Sequence, residues 1–209
     1  MQPVENKSDQ GTFIWHKNAG YFAYGFVMFL ILSVGFLGNV LTLLVLHQRE
    51  HRRRSVTPLM INLAVADIFI IVFGYPIAIQ GNLRGKLLES SHCSWGGFIN
   101  GAVGIASIFT LTEMSVVSYF GLKQVNTHCR LSIRQVCCLI GAAWLYGSLC
   151  MLPPLLGWNR FVLSSAKLSC CPDWAGKSAS DTAYNLLLVM LGFFVPLIAM
   201  TICYYKIYR

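Results

Sequence analysis

Apolar and polar residues alternate along this chain in long blocks. Five apolar blocks reach about 20 residues, the length needed to cross a bilayer. They run over about 22–46, 58–79, 93–122, 136–156 and 184–205. Hydrocarbon offers no partner for backbone N–H and C=O groups, so each block must satisfy its own and is predicted to be helical. The expected fold class is therefore all-α: a helical transmembrane bundle over 22–209, preceded by a short segment over 1–21. The first block is too long for a signal peptide. The residues before it carry Glu5 and Asp9, not a basic leader.

The polar connections orient the bundle. Arg49, Arg52, Arg53 and Arg54 follow the first span, Lys123, Arg130 and Arg134 follow the third, and Lys206 and Arg209 follow the fifth. The intervening connections are balanced, with Arg84 and Lys86 against Glu89, and Arg160, Lys167 and Lys177 against Asp173 and Asp181. The positive-inside rule then places the N-terminus outside the cell and the end of the chain in the cytoplasm. The glycosylation sequon Asn6-Lys7-Ser8 falls on the outer side under that assignment. The expected location is the plasma membrane, with membrane lipid as the first partner.

Composition sharpens this picture. The chain is 56% hydrophobic and 11% charged, with a mean hydropathy of +0.59, whereas soluble domains are about 25% charged. The net charge of +8 sits beside the apolar spans, which fits membrane orientation and not nucleic-acid binding. No Gly-rich phosphate loop, His-Glu-x-x-His or nucleophile elbow is present, so no enzyme is expected. Metal-ligand spacings are also absent from the sequence.

Candidate chemistry lies inside the membrane. Of eight acidic residues, only Asp67 and Glu113 fall within apolar spans. A carboxylate at that depth is expensive and usually has a partner and a role. Asn39 in the first span and Asn62 in the second can share hydrogen bonds with such a group. Asp67 reads as packing glue or as a polar switch holding a proton, water or sodium ion. Glu113 reads as a carboxylate snorkelling to the interface or as a lock to a further helix. Eight cysteines are present, and Cys93, Cys170 and Cys171 are on the predicted outer side, where disulfides persist. Cys93 can bridge to either of the other two. Pro76, Pro153, Pro154 and Pro196 lie within or at the ends of spans, where they bend helices and free carbonyls.

Several of these residues occur in an order that resembles the rhodopsin-like G protein-coupled receptors. Gly38-Asn39-Val40, Leu63-Ala64-Val65-Ala66-Asp67, Cys93, Trp144, and Pro196 followed by Tyr204 are similar to that family's marks on spans one to five. Within the family, Leu152-Pro153-Pro154 through Trp158, Arg160 and Phe161, together with Ser169-Cys170-Cys171-Pro172-Asp173-Trp174, resembles the opsin outer lid. Gly74-Tyr75-Pro76 and Thr110-Leu111-Thr112 are similar to the neuropsin branch.

The resemblance implies the first five spans of a seven-span receptor and a disulfide between Cys93 and Cys170. It also implies a retinal pocket lined by Gly101, Gly104, Phe161, Cys171, Pro172, Trp174, Leu188, Val189 and Phe193. Asn39, Asp67, Tyr119 and Tyr204 take the places of conformational switch residues, and a heterotrimeric G protein is the implied partner. The chain also departs from the pattern. The family's acid-arginine-tyrosine triplet is Val117-Ser118-Tyr119, and the counterion positions are Gly96 and Ser164. None of the seven lysines lies in the middle of a span. The chain is therefore expected to be C-terminally truncated, without spans six and seven and without the lysine that attaches retinal. The main expectation is an incomplete opsin-like photoreceptor that neither binds retinal covalently nor signals. The alternatives are a rhodopsin-family receptor for another ligand and a non-signalling truncated membrane protein.

Overall fold

The computed structural model describes residues 7–48, 54–74, 90–123, 131–164 and 170–209, with side chains within 7–19, at 21 and 24, and over 90–92 left out. Five helices in it are long and apolar enough to cross a membrane. Helix α1 covers Lys7–Leu46. Helix α2 covers Thr57–Gly74, α3 Ser90–Lys123, α4 Ile133–Met151 and α5 Ala179–Tyr208. A two-stranded antiparallel hairpin, β1 (Phe161–Leu163) and β2 (Cys170–Pro172), lies between α4 and α5.

Local sequence explains the helix ends. At the start of α4, Ser132 and Gln135 form a reciprocal capping box, so that helix begins three residues before the apolar run at Val136. The Ser178 hydroxyl caps α5 by accepting from the Asp181 amide, which carries its helix back to Ala179. Pro58 sits in the first turn of α2, where its missing N–H costs nothing. Pro153 and Pro154 stop α4 at Met151 and start a single 3-10 turn over Pro153–Leu155. Pro196 has no N–H to offer Gly192, and α5 widens into a π-turn over Met190–Phe194 just before it. The Tyr146 hydroxyl of α4 donates to the Leu191 carbonyl in that turn at 2.8 Å. A backbone group loosened by the irregular turn thus finds a side-chain partner inside the membrane.

Helix α3 is the hub of the bundle and packs against α2, α4 and α5, while α1 packs on α2. The α3–α4 contact is the most extensive. A Cβ at Gly147 would fall on the Ala102 carbonyl and the Ala106 amide, so only glycine lets the two backbones approach this far. One turn away, the Phe109 and Tyr146 rings stack at 4.5 Å. The outside of the bundle is apolar: Phe22, Phe26, Phe29, Val34 and Leu37 on α1 are all exposed. In water such a surface would drive aggregation; in a bilayer it is the lipid-facing coat.

One polar cluster ties three helices together. Asn62 of α2 donates to the Thr110 hydroxyl of α3 at 3.1 Å and accepts from the Trp144 indole of α4 at 3.0 Å. Thr110 passes its own proton to the Ala106 carbonyl at 2.8 Å. Interhelical hydrogen bonds in membranes contribute about 0.6 kcal/mol each and rarely more than about 1.7. Asn62→Ala removes two at once, and we expect a loss of about 1–2 kcal/mol in reversible unfolding in lipid. A loss indistinguishable from that of Thr42→Ala, whose hydroxyl bonds only its own helix, would contradict this assignment.

Candidate functional site

The end of the bundle where α3 begins is covered by the hairpin. Strand β2 starts at Cys170, which is disulfide-bonded to Cys93 in the first turns of α3, with the two Cα atoms 5.3 Å apart. The pairing that the family resemblance implied is therefore the one formed, and Cys171 remains a free thiol, half-buried on β2. Burial, and then the neighbouring Asp173 charge, push the Cys171 thiol above its usual range. The hairpin register pairs Phe161 with Pro172, Val162 with Cys171 and Leu163 with Cys170. This arrangement brings the Phe161 ring onto the α-carbon of Gly97 on α3.

A buried polar knot holds the hairpin's far side. Asn159 takes a left-handed backbone conformation, φ 73°, which asparagine tolerates better than other non-glycine residues. Its side-chain Oδ1 accepts from the Asp173 backbone amide at 3.0 Å, and its side-chain Nδ2 donates to the Asn185 Oδ1 at 3.2 Å and to the Asp173 carbonyl at 3.3 Å. Asn185 on α5 donates to the same carbonyl at 2.9 Å. Arg160 pairs with the Asp173 carboxylate at 3.1 Å, but its side chain is 77% exposed. The Asp173 carboxylate is buried but also accepts from the Ala175 amide at 3.2 Å, and solvent at the exposed Arg160 end screens the pair to about 1 kcal/mol, whereas Asn159 combines several buried bonds with a strained backbone. We expect Arg160→Ala to cost under about 1 kcal/mol. Asn159→Ala should cost about 3 kcal/mol through lost bonds and left-handed strain. Thermal unfolding of the two variants should rank them in that order, and the reverse order would contradict the account.

Beneath the lid, Ala102, Met151, Tyr184 and Leu188 form a buried cluster, with Phe98, Ile105, Cys150 and Phe161 packed against it. The sequence-predicted pocket residues divide here. Phe161 and Leu188 join this cluster, and Gly101 reaches it because the Met151 side chain occupies the space its Cβ would take. Pro172 is buried on the hairpin and Val189 is half-buried. Gly104 faces open space, while Trp174 and Phe193 are 52% and 51% exposed. An apolar cavity of about 250 Å³ opens between α4 and α5, lined by Tyr146, Cys150, Tyr184, Leu187, Leu188 and Leu191. The Tyr184 hydroxyl donates to the Cys150 carbonyl across it at 3.1 Å. Tyr184 and Met151 carry much of this packing, and nothing in the sequence pattern distinguishes them from other apolar span residues.

The midplane polar residues take separate partners. Asn39 of α1 neighbours Asp67 of α2, and its side-chain amide donates to the Gly35 carbonyl of its own helix at 2.9 Å. Asn62 points elsewhere, into the cluster with Thr110 and Trp144. Glu113 does not snorkel. It is 7% exposed, and neither carboxylate oxygen has a partner among the described residues. It lies two helical turns beyond Ala106, on the face of α3 that meets α4, so it is turned into the bundle rather than along the interface. The buried Ser107 hydroxyl and Asn100 carbonyl oxygen are likewise unpartnered among the described residues, and the Asn100 amide group presses on the α-carbon of Gly74.

At the opposite end of α3, the Ser118 hydroxyl turns back to the Met114 carbonyl at 2.7 Å. Two ammonium groups lie near the Tyr119 ring. Lys123 is 5.6 Å from its ring centroid and 3.4 Å from its hydroxyl, and Lys206 of α5 is 5.7 Å from the centroid. Tyr204 is 48% exposed and lines an open groove along α5 with Tyr205 and Tyr208. The four proposed switch residues therefore form one contacting pair, Asn39 with Asp67, and two separate sites. Asn6 lies outside the described residues.

A lidded bundle with this order of helices defines an integral membrane receptor of the seven-helix class. The chain belongs to the rhodopsin family of seven-transmembrane receptors, whose family model matches residues 38–209. It is 28% identical over 189 residues to a rhodopsin of Leocottus kesslerii, covering 89% of this chain and 65% of that protein. It is 29% identical to a Gq-coupled rhodopsin of Mizuhopecten yessoensis, covering 93% of this chain and 39% of that one. It is also 29% identical to melanopsin-B of Xenopus laevis, covering 88% and 35% respectively. The crystal structure of squid rhodopsin superposes with a TM-score of 0.82 at 24% identity, over 91% of this chain and 55% of that one. The fold is thus the first part of the seven-helix receptor fold, and the chain spans less than two thirds of each of these relatives.

Proposed function

We propose that this chain is the retinal-facing, lid-bearing part of an opsin-like photoreceptor of the neuropsin type, with its N-terminus outside the plasma membrane. The observation that carries the reading is the hairpin tied to α3 by Cys93–Cys170, which seats Phe161 in the same cluster as Leu188. The curated relatives are rhodopsins and melanopsins, and that agreement supports the same reading.

The residues fit the apolar body of retinal. Gly104 leaves open space on α3, Phe161 and Leu188 supply apolar wall, and Cys171, Pro172 and Trp174 supply the lid. Val189 and Phe193 lie on the following turns of α5. Bound retinal would supply light absorption and photoisomerisation. This chain's residues would exclude water, hold the polyene and limit its motion. No lysine among residues 1–209 lies in the middle of a span, so these residues offer no amine for covalent attachment in the pocket. Asn39 and Asp67 are proposed to act as a polar switch, and Asp67→Asn should alter the balance of conformers more than expression. Ser118 offers no guanidinium for G-protein coupling, and we expect residues 1–209 not to signal.

The test is retinal quenching of tryptophan fluorescence in nanodiscs holding residues 1–209. Saturable quenching should weaken at least tenfold in Gly104→Trp and in Leu188→Trp, which fill the space from α3 and α5 (~1.4 kcal/mol). Equal affinity in wild type and both variants would overturn the retinal reading and favour a receptor for another ligand.

A further inference from the structure

We propose that Lys123, Lys206 and the Tyr119 hydroxyl form a binding site for the phosphate of an anionic phospholipid headgroup. The three groups come from two helices that meet only through packing: α3 supplies Tyr119 and Lys123, and α5 supplies Lys206. They bring two ammonium groups and one phenol to a single ring, with Lys123 already at 3.4 Å from the hydroxyl. The aromatic face is a weak counterpart for two cations, since exposed cation–π contacts contribute about 0.5–1 kcal/mol.

Among the described residues, no carboxylate forms an ion pair with the cluster. The sole ion pair among the described residues, Arg160–Asp173, is at the lid end. Glu113 is ten residues from Lys123 on the same helix, about 15 Å along the axis, and is buried. Asp181, the acid on α5, sits in that helix's first turn, at the other end from Lys206. Two uncompensated ammonium groups beside a hydroxyl match a phosphate, which accepts several charge-assisted bonds at once.

Position selects the source of that phosphate. Lys123 and Lys206 close the two apolar spans Cys93–Lys123 and Ala179–Tyr208, so both ammonium groups lie at headgroup depth. Both lysines are exposed at the ends of apolar spans, the position from which long basic side chains reach the interface. On the orientation proposed above this end faces the cytoplasmic leaflet, whose anionic lipids attract basic groups beside a span. The site would hold the ends of α3 and α5 together from the membrane side, using charges that Ser118 does not supply.

Native mass spectrometry of residues 1–209 released from nanodiscs tests the site. The discs contain phosphatidylcholine alone or with phosphatidic acid, and both leaflets are identical, so the result does not depend on orientation or on retinal. One phosphatidic acid should be retained per chain in preference to phosphatidylcholine. Each of Lys123→Gln and Lys206→Gln should weaken retention about fivefold. Tyr119→Phe, which keeps both lysines and the ring, should weaken it severalfold. Arg54→Gln, a basic change at the start of another helix, should leave it unchanged. An equal loss for Arg54→Gln and Lys206→Gln would overturn the site in favour of diffuse surface charge. Displacement of the lipid by millimolar inorganic phosphate would overturn the headgroup assignment. Unchanged helix content by circular dichroism in every variant keeps these losses separate from unfolding.

Discussion

Cys93→Ser or Cys170→Ser is expected to destabilise the lid end by about 2–3 kcal/mol and to free the hairpin from α3. The bridge closes a separation of 77 residues, and chain-entropy reasoning for a free coil of that length gives about 4–5 kcal/mol. The inserted but unpacked chain is not a free coil. Between Cys93 and Cys170 lie most of α3 and all of α4, which stay helical in lipid, so less freedom remains for the disulfide to remove. The hairpin loses more than the helices do, because β1 and β2 are three residues each and a two-stranded ribbon of that size does not hold alone. Thermal unfolding should therefore fall, and proteolysis between β1 and β2 should accelerate, in both single variants. Non-reducing peptide mapping of the wild type should recover Cys93 joined to Cys170. Recovery of Cys93 joined to Cys171 would contradict the pairing, and an unchanged midpoint in both variants would contradict its weight.

The second large effect is at the α3–α4 contact. Gly147→Leu should cost more than about 3 kcal/mol, because the atoms in the way are the Ala102 carbonyl and Ala106 amide, which cannot rotate aside. Gly147→Ala already places its Cβ on the same backbone atoms and should cost about 1–3 kcal/mol. Separating the helices would also pull the Phe109 ring from Tyr146 and stretch the Trp144–Asn62 bond. Gly141→Ala is the contrasting case. It is on the same helix with nothing within 4 Å of a new Cβ, and alanine should be neutral or stabilising by up to about 1 kcal/mol. Equal effects at positions 147 and 141 would show that the close approach of the backbones is not what fixes this interface.

The parts of the fold that obey one-dimensional rules were legible in the sequence. Span number and type follow from apolar length, whereas the apolar run to 156 overshoots α4, which Pro153 and Pro154 stop at Met151. Gly147 was not legible, since its importance depends on which face of α4 meets Ala102 and Ala106. Glu113 was expected at an interface or reaching a further helix because depth along α3 is readable and rotation about it is not. Asn62 was visible as a polar residue near Asp67, yet its partners proved to be Thr110 and Trp144, on helices 48 and 82 residues further along the chain. Spacing alone left Cys170 and Cys171 equivalent, and only the resemblance of the surrounding lid chose between them. The polar residues of α1 before the membrane continue its helix back to Lys7, where apolar length gave no reason to extend it. Of the residues expected to line a retinal pocket, Phe161 and Leu188 share one cluster, while Gly101 serves as the seat of Met151.

Residues 1–209 are proposed to supply an opsin's lid and apolar walls but no attachment lysine. The most direct measurement is an absorbance spectrum after co-expressing this chain with a fragment carrying the sixth and seventh helices of a curated opsin. The mixture is supplied with retinal, illuminated, and then reduced with borohydride. The account predicts a light-sensitive band with the two fragments together, and a retinyl-lysine adduct confined to the added fragment. With residues 1–209 alone it predicts neither band nor adduct. An adduct on any lysine of residues 1–209 would contradict the account. So would the absence of a band from fragments that co-purify as a folded complex.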